Sequence, residues 1–336
     1  MDLDAIAEWS RYVVGCALVA YLASWLAFAA ETGARNRLKL ALAERSAAPD
    51  PALVSSDAAA GEQTAAAGDA AAPTGRADSE LTGYLTDQAD VRGRLGFAFL
   101  VVATAVLAAG VAMRAVGTSR MPWGNMYEFS ITAALLASVI FLIMARTAPG
   151  RAVAAWVVLV AFITLGLAVT ILYVPPGPLV PALRSYWMIV HVGCAVIAFA
   201  LFTVAGAVSA LQIAAERAER RGRTGWVTRP LPASSVLDRF AYRLNAIAFP
   251  IWTIGPLILG AIWAEVSWGR YWDWDPKEVW ALITWLVYAA YLHARATAGW
   301  KGSKASIVGL IGLTTAIFSY FGVNIFFDGL HSYGGL

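Results

Sequence analysis

The chain is poor in the residues that most often carry visible chemistry: two cysteines and three histidines in 336 residues, and only 14% charged side chains. Cys16 and Cys194 each lie inside an apolar run and form no CxxC, so neither a disulfide framework nor a thiol redox pair is encoded. Any thiol chemistry belongs to a partner or a substrate. The formal net charge of +3 is small, and the basic residues serve topology better than they would serve nucleic acid. A basic n-region is missing too: the chain begins MDLDAIAE, so no cleavable signal peptide is expected.

Apolar residues are abundant. They make up 59% of the chain, with a mean hydropathy of +0.63, outside the range of soluble globular proteins. A helix needs about twenty apolar residues to cross the hydrocarbon core, and eight runs qualify: Tyr12 to Ala30, Leu95 to Met113, Phe129 to Ala145, Ala152 to Val174, Trp187 to Ala214, Leu244 to Ala264, Val279 to Ala294 and Ala305 to Phe327. The expected fold is an all-α polytopic membrane protein with these eight transmembrane helices. The loops after the odd-numbered spans hold 19 of the Lys and Arg residues and the other side holds 6. Because cytoplasmic loops keep the positive charge, both termini are expected to face outward.

Three regions follow. Residues 1–42 hold the first span and its cytoplasmic end. Residues 43–94 read as a cytoplasmic loop, of which Ala43 to Glu80 is mostly Ala, Gly, Ser, Pro, Asp and Thr and is expected to be a disordered, dispensable insertion. Residues 95–336 form the membrane domain. In its sixth span, Pro250 and Pro256 are expected to kink the helix, which membrane helices tolerate when neighbours satisfy the freed carbonyls.

One stretch stands apart. Trp263, Trp268, Trp272, Trp274, Trp280 and Trp285 fall within 23 positions, and residues 263–278 form an outward loop between two spans. An interfacial aromatic belt explains some of these rings. It does not explain Asp273 and Asp275 interleaved with them, nor Gly269 and Pro276, which break the helix. Such a surface suits a large planar apolar ligand with charged edges. His191, within about two turns of the outer end of the fifth span, and His331, just past the eighth, share that outward side. Two neutral imidazoles across an aromatic shelf are a natural axial pair for haem iron. His293 lies 16 residues beyond Lys277, roughly 24 Å along a helix, near the cytoplasmic leaflet. An ionisable residue there is a functional candidate by default.

The run W-G-R-Y-W-D-W-D-P-K-E-V-W-A-L-I-T-W (Trp268 to Trp285) resembles the WWD signature of the haem-handling proteins of cytochrome c assembly. With Y-L-H-A-R (Tyr291 to Arg295), G-L-H-S-Y-G (Gly329 to Gly334) and P-W-G-N-M-Y-E-F-S (Pro122 to Ser130), it is similar to the CcsA-type (ResC-like) member of a two-protein synthase. The resemblance covers about Met121 to the C-terminus. It implies that haem b, bound as substrate, crosses a bacterial plasma membrane and is held at the outer face by His191 and His331. The cradle would be Trp268, Trp272, Asp273, Trp274 and Asp275, with His293 an intramembrane ligand. It further implies a CcsB-type (ResB-like) partner, an apocytochrome c with a CxxCH motif as second substrate, and thioether formation by the complex acting as a haem lyase. For Asp273 and Asp275, two roles stay open: partners that orient an imidazole or a Trp N–H, or residues that cap the next helix. Lys277 and Arg270 could pair with haem propionates or merely anchor the loop. The alternatives to the whole reading are a haem exporter without ligation activity, a transporter of other cargo, and a subunit that keeps haem for electron transfer.

Overall fold

In the computed structural model, residues 2–47 and 72–332 are described, and among them every regular element is helical. Eight long helices account for the eight apolar runs: α1 Leu3–Ala47, α2 Ala72–Thr118, α3 Met126–Met144, α4 Ala154–Thr170, α5 Tyr186–Arg220, α6 Ser234–Trp268, α7 Pro276–Thr297 and α8 Ser303–Phe326. Six of them are long and apolar enough to cross a membrane by length and composition alone. The others are α4, apolar but only 17 residues long, and α7, whose apolar centre is flanked by Lys277, Glu278, His293 and Arg295.

The region expected to be a loop is largely helical where it is described. Helix α1 runs on to Ala47 and α2 starts at Ala72; residues 48–71 lie outside the described residues. The physical reason is cooperative. A membrane span has already formed its nucleus, so alanine, glutamate, leucine and arginine beyond it extend the helix at little cost. At about 1.5 Å per residue a 45-residue helix such as α1 reaches roughly 67 Å, twice the hydrocarbon thickness. Pairing holds the two extensions together. Arg35 bridges Glu31 of its own helix and Asp90 of α2, and a Cβ on Gly96 would come within 2.8 Å of the Phe28 ring, so α1 and α2 approach closely there.

Helix α5 is the hub: it packs against α3, α6 and α8, while α1, α2 and α4 lie to one side and α7 rests mainly on α8. The helix ends remote from the aromatic loop are tied by polar contacts. Arg295 of α7 donates both arms to Asp238 of α6 at 2.7 and 2.9 Å, and Glu216 of α5 accepts from the backbone and hydroxyl of Ser303. The charged tail of α5 therefore contributes to packing as well as to the solvated surface.

At the end of the bundle that carries the aromatic loop, Glu128 organises the loop before α3. Its carboxylate takes Arg114 Nε at 2.9 Å, Arg120 Nη1 at 2.6 Å and the Gly124 N–H at 2.8 Å. Arg114 and Glu128 are fully buried. Removing one member of such a cluster leaves uncompensated buried charge, which costs on the order of 3–5 kcal/mol. Glu128→Ala is accordingly expected to lower the thermal unfolding midpoint of the detergent-purified protein sharply; a midpoint within a degree or two of wild type would show that the cluster does not stabilise the fold.

Prolines mark the point where α6 departs from α geometry. Residues Thr253–Leu259, with Pro256 among them, form a π segment, and Phe318–Gly322 form a second one in α8. The Thr253 hydroxyl, at the start of the first π segment, donates to the Phe249 carbonyl at 2.9 Å.

Candidate haem site

Both π segments border a cavity of about 1130 Å³, open solvent included, walled by α5, α6, α7, α8 and the loop before α3. Its lining is chiefly apolar and aromatic, with a few polar groups converging on it, the usual character of a small-molecule site. His191 and His331 both line it.

His191 is held from two sides. Its ring lies nearly parallel to Trp263, with centroids 5.6 Å apart and planes 7° apart, and its Nδ1 is 3.0 Å from the Gly255 carbonyl oxygen. A carbonyl can only accept, so Nδ1 carries the proton and the lone pair of the neutral ring sits on Nε2. Gly255 belongs to the π segment of α6. Gly260, one turn on, has to lack a side chain: a Cβ there would stand 2.9 Å from His191 Cε1. Trp263 is itself fixed by donating Nε1 to the Ala182 carbonyl at 3.0 Å.

His331 reaches the same tryptophan from beyond α8. Its ring centroid is 5.5 Å from Trp263 and 5.0 Å from Trp268. Its Nδ1 donates to Asp275 Oδ1 at 2.7 Å, the carboxylate–histidine pairing that orients metal-binding imidazoles. Burial draws the His331 imidazole below its ordinary value, against the opposing pull of Asp275, which keeps the ring neutral at pH 7. The two histidines therefore share a tautomer, each with its lone pair on Nε2, and both touch Trp263.

Asp275 answers the open question of its role by filling both. It caps α7: Oδ1 accepts the Lys277 N–H at 3.0 Å, and Glu278 closes a capping box. The same carboxylate accepts from His331 and, through Oδ2, from the Leu330 N–H at 2.7 Å. Burial would push the carboxyl up, but these donors outweigh it and hold it down to about 2.

The remaining candidates divide. Trp272 lines the cavity, and Trp268 packs edge-on to Trp263 at 4.6 Å. Trp274 points outward, 69% exposed, on a left-handed backbone with φ 60°, and meets Trp272 edge to face at 5.8 Å. Asp273 is exposed, its N–H donating to Glu278 Oε2 at 2.9 Å and its carboxylate 3.4 Å from Arg270. His293 lies far from the cavity, on an exposed face of α7. Two contributors escape the sequence pattern. Gly255 looks like an ordinary span residue, although the Gly255–Pro256 pair marks a helix interruption, and Tyr320 is one aromatic among many in its span. Its hydroxyl donates to the Met126 carbonyl at 2.6 Å and its ring stacks on Phe129 at 4.1 Å, forming another wall.

Known proteins resemble this chain over the stretch that lines the cavity. The family model described as "Cytochrome C assembly protein" matches residues 123–331, the stretch that supplies the cavity. A "Cytochrome c biogenesis protein CcsA" of Chlamydomonas reinhardtii is 42% identical over 158 residues, 47% of this chain and 43% of that protein. The protein of the same name from Synechococcus sp. (strain CC9902) is 35% identical over 261 residues, 70% of this chain and 85% of the relative. A solved structure described as "Cytochrome c Heme Lyase CcmF" covers 99% of this chain and 53% of its own, with 18% identity and a TM-score of 0.43, too loose a likeness to carry weight. The chain belongs to the cytochrome c assembly protein family, as a CcsA-type cytochrome c biogenesis protein.

Proposed function

We propose that this chain receives haem as substrate, holds the iron between His191 and His331 at the outer face, and presents it for covalent attachment to apocytochrome c. The observation that carries the reading is the pair of imidazoles lining one cavity, both in contact with Trp263 and each held by a hydrogen bond at Nδ1. In the attachment step each thiol of a CxxCH motif adds across a haem vinyl group. A carbon–sulfur bond forms, the second vinyl carbon gains a hydrogen, and no oxidant is consumed. This chain's contribution is binding and orientation. A histidine of the substrate then displaces one axial ligand and frees the product.

The reading includes a CcsB-type partner in a plasma membrane, with this chain as one half of a two-protein synthase. His293 supports that division of labour: it is exposed on α7, about 24 Å inward of Lys277, where a second imidazole has to come from another chain. The test is an absorption spectrum of the chain purified with that partner. A reduced low-spin haem band is expected in wild type, and a complex with no haem would overturn the assignment. His293→Ala is expected to lower the haem content of the purified complex several-fold while leaving the outer site able to bind added haem; undiminished content would remove His293 from the path. Thioether formation on apocytochrome by the wild-type complex separates a synthase from a haem exporter.

A further inference from the structure

The cavity wall carries a positive charge for which the axial pair has no use. Lys277 stands in the first turn of α7 and lines the cavity beside Asn324 of α8. Its ammonium donates to Asn324 Oδ1 at 2.6 Å, a neutral acceptor. No carboxylate among the described residues stands within ion-pair distance of it. Asp275, two residues earlier, directs Oδ1 to the backbone N–H of Lys277 and to His331, and Oδ2 to Leu330. Glu278, the next residue, is engaged by Arg270 and by the N–H groups of Asp273 and Asp275. The nearby arginines are also committed: Arg270 to Glu278 and Asp273, Arg120 to Glu128. Among the described residues, Lys277 is thus the one lysine or arginine on the cavity wall. A cation in an apolar chamber is costly unless an anion joins it, so the occupant should bring a carboxylate.

Resting on the reading of haem as cargo, we infer that Lys277, steadied by Asn324, is a positioning residue that receives a propionate of the haem. The two carboxylates of protoporphyrin share one edge of the ring and the vinyl groups lie on the other two pyrroles. Anchoring the carboxylate edge at the α7–α8 wall therefore decides which part of the macrocycle is offered to the incoming thiols. The axial histidines alone would leave the ring free to turn about the line between them.

Metal-free protoporphyrin IX isolates this contact, because without iron the histidines have nothing to ligate. The chain and its partner, produced in haem-deficient cells and placed in nanodiscs, are titrated with protoporphyrin IX and with its dimethyl ester, following tryptophan quenching. Wild type is expected to bind the diacid roughly 10- to 100-fold more tightly than the ester, relative to Lys277→Met, as for a hydrogen bond to a charged group. Reading the acid-to-ester ratio against the variant cancels the ester's greater partitioning into lipid. Lys277→Arg should keep most of the preference. An acid-to-ester ratio in Lys277→Met equal to that of wild type would overturn the inference while a low-spin haem spectrum left the proposed function standing. If neither porphyrin nor haem bound the wild-type complex, both would fall.

Discussion

His191→Ala and His331→Ala are each expected to abolish holocytochrome formation and to convert the low-spin haem spectrum to a high-spin one, with added imidazole restoring part of both signals. This is the largest effect expected of any single substitution, because iron held by two nitrogens loses one outright. Neither neighbour can substitute. Among the described residues, His191 meets a tryptophan ring and a backbone carbonyl engaged with its Nδ1, and His331 meets two tryptophans and a carboxylate facing Nδ1. Truncation to alanine leaves a void of about imidazole size beside Trp263, which is why the free ligand can enter. Full cytochrome assembly in either variant without added imidazole would end the axial-pair reading.

Asp275→Ala should reproduce the His331 phenotype from one step away. The carboxylate holds both Leu330 and His331 and caps α7. Losing the cap alone costs about 1 kcal/mol, a modest drop in thermal stability. Losing the hold on residues 330 and 331 frees the imidazole from the cavity wall, so a large fall in low-spin haem is expected, again partly reversed by imidazole. Asp275→Asn keeps an acceptor for the helix N–H but presents one oxygen where two are used, and should fall between. A variant that lost stability yet kept a wild-type spectrum would reduce Asp275 to a helix cap.

The fold was legible because membrane spans announce themselves: each of the eight apolar runs lies largely within one long helix, since a bilayer requires backbone hydrogen bonds to be closed within the segment. The helical extensions of α1 and α2 were not, because alanine-rich polar sequence looks the same whether it continues a helix or leaves one. That His191, His331 and Trp272 lie close enough to line one cavity could be read from their placement along the chain, since residues at corresponding ends of successive spans share a side. Their mutual geometry could not. The parallel stacking of His191 on Trp263 depends on where α6 leaves α geometry, and nothing local to Trp274 and Asp273 distinguishes a tryptophan or carboxylate facing solvent from one facing a cavity. The strained backbone at Trp274 lies at a mouth whose shape only the tertiary structure defines.

The π segment of α6 can also be viewed as a matter of register. A π ring closes over one residue more than an α ring, so the helix beyond Leu259 is turned by about 100°, one residue's worth, relative to an uninterrupted α-helix. Trp263 faces the cavity because of that added residue. Deleting one position between Thr253 and Leu259 would preserve every side chain of the aromatic loop while rotating the loop's root away from His191. The chemistry of this site is thus written partly in a count, and a homologous span one residue shorter at this point would need its tryptophan elsewhere.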